Sequence, residues 1–95
     1  AMNTYAVLWT YTADAEQVAR HRDSHMQYIK SLAAEGAIVE GGAWRDGSGA
    51  LIIFRAGDRE QLQGYLDADP FTTEDVIVAT QIHEWVAAIG PIARI

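Results

Sequence analysis

The sequence predicts an α+β fold in which two helices cover an antiparallel sheet of four strands. Three observations predict it. Apolar strand-like segments lie at both ends of the chain, residues 5–11 and 76–86. Between them, Arg45-Asp46-Gly47-Ser48-Gly49 is a hairpin signal that joins two further strands, residues 37–45 and 50–55. Segments typical of helices follow the first and the third strand, which completes a β-α-β-β-α-β order.

The first strand and the first helix come first in chain order. Tyr5, Val7, Trp9 and Tyr11 share one face of the strand, and because the other face is not plainly polar, both are expected to be covered. The helix spans residues 14–35, with Thr12 or Asp14 as the candidate N-cap and Gly36 as the left-handed residue that ends it. Its apolar stripe consists of Val18, Ala19, Met26, Ile29, Leu32 and Ala33.

Glycine, aspartate and proline divide the middle of the chain. Gly41-Gly42 inside the second strand predicts a bulge, or a close approach by another backbone or a ligand. Asp58 is expected to cap a short helix over residues 59–66, with Gln61 in the capping-box position. Pro70 cannot continue that helix and favours an extended conformation for the residue before it.

Two crossover helices around a central hairpin give the split βαβ, or ferredoxin-like, arrangement. Helices then cover one face of the sheet, and the strands are apolar on both faces. A single chain has nothing left to cover the second face, so the sequence predicts a homodimer packed sheet against sheet. Gly90-Pro91 ends the last strand, and residues 88–95 form a C-terminal tail.

Size and composition bound the function. The 95 residues predict one domain, 1–95, and Ala1 before Met2 resembles an expression scar. Cysteine is absent, which suits a reducing cytoplasm. The net charge of −6, with isolated basic residues, disfavours nucleic-acid binding. We find no membrane span and no secretory signal, so neither membrane attachment nor export is expected. No glycine-rich phosphate loop is present, and we therefore predict no nucleotide, flavin or other cofactor.

Arg22 and His25 project from the apolar stripe of the first helix. A charge buried there must pair and a buried imidazole must hydrogen-bond, at a cost of roughly 1–3 kcal/mol for each unsatisfied group. The acidic turn Asp67-Ala68-Asp69-Pro70-Phe71 is the best candidate to supply the partner. Either Asp67 or Asp69 can do so, and together these residues suggest a small acid–base site.

These features, with the element order, resemble the YCII-related (YciI-like) family. The resemblance rests on Arg22-Asp23-Ser24-His25, Glu35-Gly36, Gly41-Gly42 and Asp67-Ala68-Asp69-Pro70-Phe71, and it covers nearly the whole chain. It implies a dimeric α+β barrel, as in muconolactone isomerases and small antibiotic-biosynthesis monooxygenases. It also implies a His–Asp pair lining a cavity near the dimer barrel, here His25 and Asp69. One member of the family is a dehydrochlorinase of a chlorinated hydroxyhydroquinone.

The residues suit proton transfer. Histidine can accept or release a proton near neutral pH, and a carboxylate on one ring nitrogen fixes the tautomer and stabilises the imidazolium. We therefore expect His25 as base or acid, Asp69 as its orienting partner, and Arg22 as an anion or oxyanion contact, or else as a structural partner of Asp67 or Asp69. Asp69 also suits a purely structural role in starting a turn.

Aromatic side chains offer walls for a flat or apolar ligand. Trp9, Trp44 and Phe71 are expected to bind substrate, although packing in the core or a dimer interface also explains them. His21 lies four residues before His25, the spacing of two metal ligands on a helix, but without an HExxH pattern we predict no metal site.

The expected protein is a cofactor-independent isomerase or lyase that acts on a small cyclic or aromatic metabolite. Lactone isomerisation and dehydrohalogenation are the leading reactions. A non-catalytic ligand-binding or accessory protein on the same fold is the alternative, and a cofactor-free monooxygenase is the second.

Overall fold

The computed structural model describes residues 2–95, and the suggestion about Ala1 therefore lies outside the described residues. These residues form four strands, three α-helices and a C-terminal 3₁₀ turn. In chain order the elements are β1 (Asn3–Tyr11), α1 (Ala15–Ala34), β2 (Ile38–Ala43), β3 (Gly49–Ala56), α2 (Arg59–Asp67), α3 (Pro70–Thr73), β4 (Ile77–Glu84) and the 3₁₀ turn Pro91–Arg94. None of the helices in this part of the chain combines the length and the apolar character that crossing a membrane requires.

The four strands form one antiparallel sheet in the order β2-β3-β1-β4. The predicted α+β, ferredoxin-like fold is confirmed. The alternation in β1 works as expected on the helix side, because Tyr5, Val7 and Trp9 are each at most 4% exposed. They pack with Leu32 of α1 and Leu62 of α2 in the main core.

Capping groups define both ends of α1. Asp14 is the N-cap, and its Oδ1 accepts hydrogen bonds from the backbone N–H groups of Glu16 and Gln17 at 3.1 and 3.2 Å. At the other end Gly36 adopts φ = +86°, and the N–H of Ala37 donates to the carbonyl of Leu32 at 2.9 Å. This closure is a Schellman motif, which requires a left-handed residue. It turns the chain directly into β2.

The second half of the chain contains two elements that the sequence analysis did not predict, α3 and the C-terminal 3₁₀ turn. Asp58 caps α2 as expected, accepting from the N–H of Gln61 at 2.8 Å. Pro70, however, does more than prevent the helix from continuing. It occupies the first turn of the separate helix α3, whose N-cap is Asp69. The fixed φ of proline and its missing N–H suit that position, so Pro70 begins a helix here as well as preventing α2 from continuing.

The irregularity in β2 lies elsewhere than predicted. The register with β3 shifts between Ile38 and Glu40, whereas Gly41 and Gly42 pair regularly. The prediction of a bulge at the two glycines is therefore wrong. The close approach at Gly41 is to a side chain, since a Cβ there would lie 2.7 Å from Cδ1 of Ile52.

The second face of the sheet carries an apolar patch on β1 and β3, bordered by polar residues such as Gln81 and Arg55. Alternation and register place Leu8, Leu51 and Ile53 on the face opposite the helices. None of them belongs to the core cluster formed by residues 2–95. Leu8 and Leu51 are half-buried, and Ile53 is buried at 7% exposure. The described residues therefore leave this patch only partly covered at Leu8 and Leu51.

Candidate active site

His25 and Asp69 meet beneath the sheet-facing side of α1. His25 is 5% exposed and Asp69 is 1% exposed. The imidazole Nδ1 lies 2.7 Å from Oδ1 of Asp69. The structure thus brings together two side chains 44 residues apart in sequence, and it does so inside the protein, where such a hydrogen bond is strengthened by the low dielectric.

The junction between α2 and α3 fixes the position of Asp69. Its backbone is extended, with φ = −68° and ψ = 129°, and its Oδ1 also accepts from the N–H of Phe71 at 2.9 Å. One carboxylate oxygen therefore both caps a helix and receives the imidazole. Its Oδ2 is buried and has no hydrogen-bond partner among residues 2–95. Asp67 instead lies on the exposed side of α2, where it accepts from Gln63, so Asp69 is the partner of His25.

Two aromatic rings hold the imidazole of His25. The Phe71 ring stacks on it with centroids 3.8 Å apart and an angle of 2° between the planes. Trp9 meets it edge-on at 5.8 Å. These contacts and the Asp69 hydrogen bond fix the orientation of the ring. Trp9 is only 2% exposed and does not line the cavity described below, so it supports His25 from the core and is not placed to touch a ligand.

The second ring nitrogen of His25 is not bound by Asp69, and the residue lines a cavity. Nε2 of His25 has no hydrogen-bond partner among the described residues. It is also not one of their fully buried polar atoms, so it keeps access to the cavity that His25 lines. An ionised carboxylate can only accept, and that form of the pair places the shared proton on Nδ1 of His25. Nε2 is then left with a free lone pair at the cavity, which is the arrangement a general base requires.

The cavity has a volume of about 450 Å³ and lies between α1, β2 and the start of β3. That volume falls in the range of sites for small organic ligands. Arg22, Trp44 and Phe71 line it, as does the Gly41-Gly42 pair. Phe71 is buried, whereas Trp44 is 43% exposed.

Arg22 differs from its expected environment. It is exposed at the cavity and needs no buried partner, contrary to the expectation from the stripe. Within the described part of the chain no salt bridge joins it to Asp67 or Asp69. A structural role as their ion-pair partner is therefore wrong. His21 does not line the cavity, and no cluster of three metal-ligating side chains occurs in residues 2–95.

Tyr11 is a cavity residue that the sequence analysis did not assign to the site. It meets Phe71 edge-on at 5.2 Å. Burial, and secondly the negative charge of Asp69, raise the pKa of Tyr11 to about 12, while Arg22 opposes the shift. The phenol is thus a neutral hydrogen-bond donor at physiological pH. Its position two residues beyond Trp9 on the same strand face was the available signal.

We predict that Tyr11 ionises well above the ordinary range. In a spectrophotometric titration, the difference between the wild-type protein and Tyr11→Phe should show one phenolate appearing near pH 12 instead of near pH 10. A folded state with a raised pKa keeps the proton longer than the unfolded state. The Tyr11 phenol therefore makes its whole contribution to the free energy of unfolding below pH 10, and this contribution is lost as the pH rises toward 12. A difference spectrum that appears near pH 10 contradicts the buried position of the phenol.

The sequence was compared with models of known protein families. The sequence matches the YCII-related domain over residues 3–86, which is most of the chain. The chain belongs to the YCII-related family. No curated protein matches this YCII-related sequence significantly.

Two solved structures resemble the fold. The first is 5-chloro-2-hydroxyhydroquinone dehydrochlorinase (TftG) from Burkholderia phenoliruptrix AC1100, in complex with 2,5-dihydroxybenzoquinone. It aligns with a TM-score of 0.77 and 20% identity, over 86% of this chain and 92% of that one. The second is Rv0793 from Mycobacterium tuberculosis, with a TM-score of 0.57 and 10% identity over 95% and 100% of the two chains. At these identities the likeness shows the fold alone.

Proposed function

We propose that this YCII-related protein is a cofactor-independent acid–base enzyme of the isomerase or lyase type. Its substrate is a small cyclic or aromatic metabolite. The observation that carries the proposal is His25, whose Nδ1 is bound to buried Asp69 while its Nε2 is left free at an apolar cavity. The structural resemblance to a dehydrochlorinase supports the same class of chemistry.

The reaction begins with proton transfer to His25. Nε2 takes a proton from a carbon next to a carbonyl, which a phenol offers as its keto tautomer, and Asp69 stabilises the imidazolium that forms. In a dehydrohalogenation the electron pair of the broken C–H bond forms a double bond, and the halide leaves with the C–halogen pair. In an isomerisation the same proton returns to a different carbon. Arg22 and the neutral phenol of Tyr11 are placed to stabilise negative charge on a substrate oxygen.

A ligand-binding protein without chemistry is the second candidate. The cavity supports it equally, because walls such as Phe71 and Trp44 hold a ligand whether or not a proton moves. The complex of TftG with 2,5-dihydroxybenzoquinone supports small-ligand binding in this fold. The two candidates differ in one measurable respect, since only the enzyme consumes its ligand.

Incubation with defined compounds tests the proposal. The purified protein is mixed with 5-chloro-2-hydroxyhydroquinone or with muconolactone, without added cofactor. Chloride release, substrate loss and oxygen uptake are followed. We expect loss of at least one compound in the absence of oxygen uptake. Stoichiometric retention without consumption supports the binding protein, and oxygen uptake supports a monooxygenase; either result contradicts the acid–base proposal.

We also propose a homodimer in which a second copy covers the open sheet face. Leu8 and Leu51 form a half-buried apolar patch there, outside the main core cluster. An uncovered apolar sheet face is typical of an interface. The covering copy also adds to the thin core of a chain of this length.

If the dimer forms through this face, a charge introduced at its centre should prevent dimerisation. Leu51→Lys, on the open face, should convert a wild-type dimer to a monomer in light scattering coupled to size exclusion. Gln27→Lys, on the exposed side of α1, adds the same charge away from that face and should remain dimeric. A monomeric wild-type protein, or a Leu51→Lys dimer as tight as wild type, contradicts sheet-to-sheet assembly.

A further inference from the structure

The charges that line the cavity are unevenly distributed. Three of the chain's seven Lys and Arg residues line it, namely Arg22, Lys30 and Arg45. Of its 13 Asp and Glu residues, Glu40 alone lines it among residues 2–95. The protein as a whole carries a net charge of −6, so the cavity has the opposite sign to the rest of the molecule.

These three cations have no acidic partner. In the described chain the pair His25–Asp69 is the one contact within 4.0 Å between a basic and an acidic side chain. Neither Glu40 nor any other carboxylate therefore neutralises the charge of Arg22, Lys30 or Arg45 directly. Unpaired cations beside a concave apolar surface attract anions, and the cavity concentrates their field.

Two of the cations flank the proposed base along α1. Arg22 precedes His25 by three residues and Lys30 follows it by five, which are axial offsets of about 4.5 and 7.5 Å in an α-helix. A ligand whose reacting atom lies beside Nε2 of His25 therefore has a cation within one to two helical turns on either side. Arg45 adds a third cation from the hairpin turn that follows β2.

The remaining wall is apolar. Ile29 and Ala33 of α1, Ile38 and Ile52 of the sheet, and Phe71 all line the cavity. We propose that the cavity selects small organic anions, with an apolar, ring-sized body against this wall and a carboxylate or phenolate held by the cations, chiefly Arg22. The inference rests on the proposed function for the site and names the class of its substrate.

Calorimetric titration with two probes of equal shape tests the charge requirement. The probes are 2-naphthoate and 2-naphthamide, which differ in charge at one position. The wild-type protein should bind the acid at least about 10-fold more tightly at low salt, and added NaCl should reduce that preference. Arg22→Gln should weaken acid binding about 10-fold and leave amide binding unchanged, with smaller losses for Lys30→Gln and Arg45→Gln.

The matched control is Arg20→Gln. It removes the same charge from an exposed position on the same helix, but Arg20 does not line the cavity, so acid binding should stay at the wild-type level. Equal binding of acid and amide, equal effects of Arg22→Gln and Arg20→Gln, or no binding of either probe overturns the inference.

The outcomes also separate this inference from the proposed function. If organic acids bind tightly and in a charge-dependent way but none is turned over, the proposed enzymatic function is rejected and the anion site stands. If the protein turns over a neutral substrate, and the Arg22→Gln variant does so as fast as wild type, the anion site is rejected and the proposed enzymatic function stands.

Discussion

Replacing His25 by Gln should lower turnover of the substrate by about 10²–10⁴-fold, the range typical of a positioned acid–base group. Gln has an amide that can still hydrogen-bond Asp69, but it cannot accept and release a proton. Stability and ligand binding should therefore change much less than kcat. Steady-state kinetics and urea unfolding measure the two effects separately.

His21→Gln is the matched control for this variant. It makes the same chemical change four residues earlier on α1, at a side chain that does not line the cavity. We expect it to retain wild-type turnover. Full activity in His25→Gln, or an equal loss in both variants, removes His25 from the mechanism.

Replacing Asp69 by Ala should destabilise the protein by about 2–4 kcal/mol and also abolish turnover. The carboxylate caps α3 and receives His25, so its removal loses an N-cap and leaves the buried N–H groups of Phe71 and His25 unpaired. Urea unfolding measures the loss of stability. It should exceed the loss for Asp67→Ala, because Asp67 is exposed and bonds only to Gln63.

Asp69→Asn separates the structural role of this residue from the catalytic one. An amide oxygen can still accept from the N–H of Phe71, so the cap and most of the stability should survive. The amide carries no charge to stabilise an imidazolium, and its NH₂ group can donate to Nδ1 and move the ring proton to Nε2. Turnover should fall by about 10²-fold or more. Wild-type activity in this variant leaves Asp69 with the role of a cap alone.

Local signals in the sequence carried much of the fold. Asp14, Gly36 and Asp58 act within a few residues of themselves, because a capping side chain or a left-handed glycine satisfies neighbouring backbone groups. The hairpin after β2 is local in the same sense. Such features depend little on the rest of the chain, and pattern reasoning therefore located them to within one or two residues.

The site was only partly predictable for the opposite reason. His25 was predictable because it is a polar residue on the apolar stripe of α1, and Asp69 because it lies in the acidic turn. The role of Trp9 was not predictable, because it depends on which ring packs against the imidazole in the folded protein. Tyr11 joins the site because its ring meets Phe71 of α3 at the cavity. Whether Pro70 ends one helix or begins another depends on the extended conformation of Asp69, which its contact with His25 helps to hold.

The most direct test of the account is the position of the proton on His25. Nitrogen-15 NMR of histidine-labelled protein, at a pH where the ring is neutral, distinguishes the two tautomers. We predict that Nδ1 carries the proton toward Asp69 and that Nε2 is unprotonated, and that Asp69→Asn disturbs this preference. A wild-type ring protonated at Nε2 would contradict the central claim, because no base would then face the cavity.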